Sequence, residues 1–132
     1  MSFDPKQHWI LLVDDEEANR LVIGRRLTQQ GYRVATAPGG RAAMVLLKDW
    51  RFALVLLDVN MPEMDGLETL NAIKSDPGLQ AVPVIMLTAK KTPDAVTHSV
   101  SLGAVDYLIK PISPAELSSR VQRCLTRQRT LT

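Results

Sequence analysis

The chain has 132 residues, 45% of them apolar, enough for one domain with a proper core, and its net charge of +2 is too small to argue for nucleic acid by itself. Aromatic residues make up 5%, which gives little sign of a base-stacking surface, and the single cysteine, Cys124, excludes an internal disulfide framework. The opening MSFDPKQHW lacks the basic-then-apolar layout of a secretory signal, and no apolar run approaches the roughly 20 residues that span a bilayer, so a soluble, cytoplasmic protein is expected.

His8 to Val13 is a short apolar run ending in Asp14-Asp15 and predicts a first strand. Residues from about Glu17 to Gln30 predict a helix, with Ile23 and Leu27 on one face and Gly31 as its stop. Arg33 to Ala37 predicts a brief strand, Pro38-Gly39-Gly40 a turn, and Arg41 to Asp49 a second helix. Ala53 to Leu57 is apolar without a break and stops at a carboxylate, Asp58; such a run suits a strand buried on both faces. Loop chemistry follows in Asn60, Met61-Pro62 and Asp65-Gly66.

Asp65 and Glu68 have the spacing of a capping box for a third helix, which should end near Ser75-Asp76-Pro77-Gly78. Val82 to Leu87 predicts a fourth strand that delivers Thr88-Ala89 to its end. Thr92-Pro93 starts a fourth helix, with Gly103 as its stop, and Val105 to Ile109 predicts a fifth strand delivering Lys110-Pro111. Ser113-Pro114-Ala115-Glu116 then opens a fifth helix.

Strands and helices alternate strictly, which predicts right-handed crossovers and a parallel α/β sheet with helices on both faces. Alternation alone does not fix strand order. The common order 2-1-3-4-5 would set the first and third strands side by side, and these are the two that end in carboxylates. The expectation is one domain over residues 1–132, with a core of about 9–125 and a tail or start of a linker over 126–132.

The strand ends deliver Asp14 and Asp15, Asp58, Thr88, and Lys110. Three carboxylates meeting at one rim repel unless a cation is present, and oxygen-only ligands suit a hard ion such as Mg²⁺. Metal, ammonium and hydroxyl together describe a cage for the three equatorial oxygens of a phosphoryl group in transfer, with Asp58 as nucleophile. Taken singly, each residue has an ordinary explanation as turn former, helix cap or solvated side chain. Independent turn residues, however, have no reason to place acid, acid, hydroxyl and amine at four of five strand ends.

The chain resembles the receiver domain of bacterial two-component response regulators, from about Trp9 to Leu125. The resemblance rests on VDD at Val13 to Asp15, LLDVNMPEMDG at Leu56 to Gly66, LTA at Leu87 to Ala89 and DYLIKP at Asp106 to Pro111. It implies a flavodoxin-like fold in the order 2-1-3-4-5. It also implies that Asp58 is the phosphoacceptor, that Asp15 is a Mg²⁺ ligand with Asp14 assisting directly or through water, and that the Asn60 backbone carbonyl is a further ligand. Thr88 and Lys110 would hold the phosphoryl oxygens, and the Lys110–Pro111 bond is expected to be cis.

The same resemblance implies a mechanism. A histidine kinase or histidine phosphotransfer protein donates the phosphoryl group to Asp58, Thr88 is drawn toward it, and Tyr107 turns inward as the aromatic switch. The face formed by the fourth predicted helix, fifth strand and fifth predicted helix would then change its affinity for an output partner or domain; self-association is left open, and neither membrane nor direct nucleic-acid binding is expected. The chain would be a regulator rather than an enzyme, although it catalyses its own phosphorylation and contributes to dephosphorylation. Asn60 and Lys90 are the candidates for tuning the lifetime of the acyl phosphate. Ile112 stands where the family often has Phe, a packing change only.

After Ser119 come Arg120, Arg123, Arg127 and Arg129 with no acid, read as a solvated helix face in preference to a nucleic-acid contact. Leu117, Val121, Cys124, Gln128 and Leu131 keep a 4-3-4-3 spacing, consistent with a helix running on into a coiled linker. Two rival functions fit the fold. A Mg²⁺-dependent phosphohydrolase using Asp58 would commonly carry a second acid two residues on, where this chain has Asn60. A phosphorylation-independent interaction module has no use for the acid pair, Thr88 and Lys110.

Overall fold

The computed structural model describes residues 9–89 and 100–131, with side chains described as far as residue 126. Its elements are β1 (Trp9–Val13), α1 (Glu17–Gln29), β2 (Arg33–Ala37), α2 (Gly40–Asp49), β3 (Leu54–Asp58), α3 (Gly66–Ser75), β4 (Val84–Thr88), β5 (Asp106–Ile109) and a C-terminal helix (Pro114–Leu131). Most of the predicted fourth helix, opening at Thr92-Pro93, lies outside the described residues. Residues 100 and 101 are helical, and Gly103, at φ 107, stops the turn as expected.

The five strands form one sheet in the order β2-β1-β3-β4-β5, and every pairing is parallel. The order puts β1 beside β3, so the two acid-tipped strands are hydrogen-bonded neighbours. All five residues of both β3 and β4 are buried, which is why these strands read as continuous apolar runs instead of alternating ones.

Alternation still sorts side chains between two layers. Ile10, Leu12, Leu54, Leu56, Ile85 and Leu87 pack with Ile23 and Leu27 of α1 and with Leu117, Val121 and Leu125 of the C-terminal helix. Leu11, Val13, Val55, Leu57, Val84 and Met86 pack with Ala43 and Leu47 of α2 and with Leu70 and Ile73 of α3. Truncating one of the buried leucines or isoleucines to alanine, Leu56 for example, is expected to cost about 2–5 kcal/mol. The C-terminal seam is a core feature over its first half: Leu117, Val121 and Cys124 face the sheet, so their spacing reports domain packing before any coiled linker.

Boundaries moved by a residue or two. β3 runs Leu54–Asp58 rather than 53–57, because Asp58 still pairs with Leu87 of β4. β4 starts at Val84 instead of Val82, since Pro83 has no N–H and offers only its carbonyl, to Val55. α3 has the predicted capping box: the Asp65 carboxylate accepts from the Glu68 amide at 2.8 Å, and Glu68 accepts from the Asp65 amide at 3.4 Å. Among the described residues no helix is long and apolar enough to cross a membrane.

Candidate functional site

Asp14 follows the last residue of β1, Asp58 is the last residue of β3, and Lys110 follows the last residue of β5. By alternation these three continue the rows that face α1, so their side chains meet over one side of the rim. The Lys110 amine lies 3.0 Å from Asp14 Oδ2 and 3.3 Å from Asp58 Oδ1. Lys110 is therefore not a solvated surface lysine. Thr88 ends β4 on the opposite alternation, in the row of Val84 and Met86, and is buried.

Asp14 is fully buried and Asp58 is 3% exposed, so both carboxylates lose most of their water. Burial pushes the Asp58 carboxyl from 3.8 up to about 6, the Lys110 ammonium pulls it back down, and the Asp14 charge adds to the rise. Burial also pulls the Lys110 ammonium down, but its hydrogen bond to Asp14 and the two carboxylate charges outweigh that and leave it above its ordinary value. A further donor, the Asn60 backbone N–H, reaches Asp58 Oδ1 at 3.3 Å.

The β3–α3 loop is folded tightly against the strand end. Val59 donates its N–H to the Leu87 carbonyl, and the Gly66 N–H returns to the Val59 carbonyl at 2.8 Å. Glu63, within that loop, takes a left-handed conformation at φ 63. On the other side, the Lys110 N–H donates to the Thr88 carbonyl at 2.8 Å, and the Lys110–Pro111 peptide is cis, as expected. Tyr107 is half-buried on β5, paired in register with Met86 and thus on the same sheet face as Thr88. Lys90 lies outside the described residues.

The carboxylates of Asp14, Asp15 and Glu16 all lie within 4.8 Å of one another. Glu16 was missed from sequence, although the acid run Asp14 to Glu17 carried the signal. Asp15 and Glu16 are exposed while Asp14 is buried, so the cluster opens from the core to solvent. An all-oxygen, anionic donor set of this kind fits a hard divalent ion.

The chain matches the model of the response regulator receiver domain over residues 10–122. The chain belongs to that family. Phosphorylation-dependent signalling is the general function of receivers, and the family is regulatory. This receiver is 42% identical over 127 residues to a protein of Vibrio cholerae named "Probable cyclic di-GMP phosphodiesterase", of which it spans 29%. It is 34% identical over 123 residues to the two-component response regulator ORR3 of Oryza sativa subsp. indica, covering 92% of this chain and 93% of that protein. Among solved structures, the chemotaxis protein CheY4 of Vibrio cholerae superposes with a TM-score of 0.86 at 34% identity, over 90% of this chain and 99% of that one.

Proposed function

We propose that this receiver accepts a phosphoryl group on Asp58 and passes the change to a partner by conformation. The observation that carries the reading is Lys110, whose amine touches the carboxylates of two neighbouring strand tips at once. Asp58 Oδ1 is held by Lys110 and by the Asn60 amide, which leaves Oδ2 as the nucleophile. Oδ2 forms a bond to phosphorus as the bond from phosphorus to the donor's imidazole nitrogen breaks, and that nitrogen keeps the electron pair. Lys110 and the Thr88 hydroxyl then hold equatorial oxygens of the transferred group.

Asp14, Asp15, Asp58 and the Asn60 carbonyl are the residues that would hold Mg²⁺, with exposed Glu16 beside them. The ion, when bound, supplies the positive charge that lets an anionic carboxylate approach an anionic phosphoryl group. Lys110 sets a positive charge against both buried carboxylates, which offsets their mutual repulsion.

Donors that fit are a histidine kinase or a histidine phosphotransfer protein, and the setting is the cytoplasm. The single receiver unit spans the chain, with its core over about 9–125. The switch couples Thr88 to Tyr107, which share a sheet face, and the output surface includes β5 and the C-terminal helix. Beside Lys110 this surface has a cleft of about 310 Å³ lined by Tyr107, Ile109, Pro111, Ser113, Glu116 and Arg120. The test is phosphate incorporation from acetyl phosphate with and without MgCl₂. Labelling should need the ion and vanish in Asp58→Asn; persistent labelling of that variant would sink the reading.

A further inference from the structure

Helix α1 carries two arginines, Arg20 and Arg26, that donate away from their own helix. Arg20 Nη1 donates to the Asp14 carbonyl at 2.7 Å, and Arg26 Nη1 donates to the Ile112 carbonyl at 3.1 Å. Both are half-buried, whereas Arg25 between them is exposed. A solvated stripe would hold neither bond. Each accepting carbonyl lies on a segment that delivers one half of the Lys110–Asp14 pair.

Every polar group of Asp14 is thereby assigned. Its N–H donates to the Ala37 carbonyl at 3.1 Å, Oδ1 accepts from the Glu16 N–H at 2.9 Å, Oδ2 accepts from Lys110, and its carbonyl accepts from Arg20. Asp14 is fully buried with Arg20 in place, so loss of the arginine takes away the donor that holds its carbonyl. Lys110 is bracketed in the same way. Its own N–H is fixed to β4, Pro111 has no N–H to offer, and the Ile112 carbonyl, two residues on, is tied to Arg26 of α1. The lysine stem is flexible, so where its amine rests depends on how firmly both flanks are held.

We propose that Arg20 and Arg26 are positioning residues: from one helix they hold the Asp14 and Ile112 carbonyls, and so set where the Asp14 carboxylate and the Lys110 amine meet. The inference rests on the reading of Asp58 as phosphoacceptor. Displacing a catalytic group by a fraction of an ångström slows a reaction without touching the substrate, so Arg26→Ala is expected to slow labelling roughly tenfold at unchanged half-saturation by acetyl phosphate. Arg20→Ala should act in the same direction.

The experiment measures labelling rates with acetyl phosphate and MgCl₂ for the unaltered chain, Arg20→Ala, Arg26→Ala, Arg26→Lys, Arg25→Ala and Lys110→Ala, and for Arg26→Ala combined with Lys110→Ala. Arg26→Lys should recover part of the rate, and Arg25→Ala should lose none. With Lys110 already removed, losing Arg26 should change the rate less than about twofold, because the group it positions is gone. Equal slowing in both backgrounds would mean general loosening and would overturn the inference, as would full-rate labelling by both alanine variants. Where an alanine variant fails to fold, Arg26→Gln takes its place, and the Lys110 ammonium NMR signal should broaden while the amide spectrum is kept. An unchanged ammonium signal would count against the idea. Absence of labelling in the unaltered chain would remove the phosphoacceptor reading itself, a different failure.

Discussion

Gly66 rests against the backbone carbonyl of Asp58 so closely that a methyl group on its α-carbon would overlap the oxygen. The first residue of α3 is thus packed directly behind the residue proposed to be phosphorylated. Neither backbone has a flexible side chain to give way, so Gly66→Ala must move the loop or the strand end. A cost of about 1–3 kcal/mol is expected, read as a lower thermal midpoint, together with slower labelling of Asp58.

Asp58 itself should be a stability liability at neutral pH. Its carboxyl is pushed up to about 6, so between pH 4 and 6 the folded protein keeps a proton that the unfolded chain releases. Stability therefore falls as pH rises through that window, and the deficit is complete above it. Asp58→Asn should raise stability at pH 7.5 by about 1–2 kcal/mol, discounted for water reaching the rim, with the gain gone near pH 4. Denaturant melts at the two pH values check this; a gain that is equal at both would contradict it.

Lys110→Ala leaves Asp14 buried without its cation. Breaking a buried pair from one side costs roughly 3 kcal/mol, and labelling should drop by about 10². Pairing holds the lysine above its ordinary 10.5, so its contribution to stability is complete below that value and is lost only as pH rises through the higher one. Chemical melts at pH 7 and 11 should show the variant's deficit shrinking at the alkaline end.

Mg²⁺ should stabilise the folded chain, because only the fold gathers the acids of β1 and β3. At a hundredfold excess over its dissociation constant the gain is about 2.7 kcal/mol. Asp15→Asn should remove most of it, as should pH below about 6, where Asp58 holds a proton that the ion must displace. Thermal midpoints with MgCl₂ and after EDTA measure the difference.

Glu63 stands in the left-handed region at φ 63, where a side chain costs about 1 kcal/mol. Glu63→Gly is expected to raise the thermal midpoint slightly and to leave labelling unchanged, since nothing the site uses comes from that side chain. A lower midpoint would show that the loop depends on the side chain itself.

Two arginines of the C-terminal helix have a use that their sequence context hides. Arg120 pairs with Asp106, and Arg123 lies 3.7 Å from the other oxygen of the same carboxylate. The acid sits on β5, outside the helix that carries them, so no scan of neighbouring residues finds it.

Local pattern determined the elements of this protein: the unbroken apolar runs of β3 and β4, the Asp65–Glu68 box that opens α3, and the acid, hydroxyl and amine at the strand ends are all short-range signals. Each is set by a residue's own chemistry and its near neighbours, so one dimension is enough to hold it. Only the tertiary structure decided that Lys110 reaches Asp14 and Asp58 together, that Asp14 is buried while Asp15 is not, and that Arg20 and Arg26 brace the pair from α1. Those facts depend on sheet order and on which face a helix covers, and contacts between residues 96 apart leave no mark on either one's neighbours.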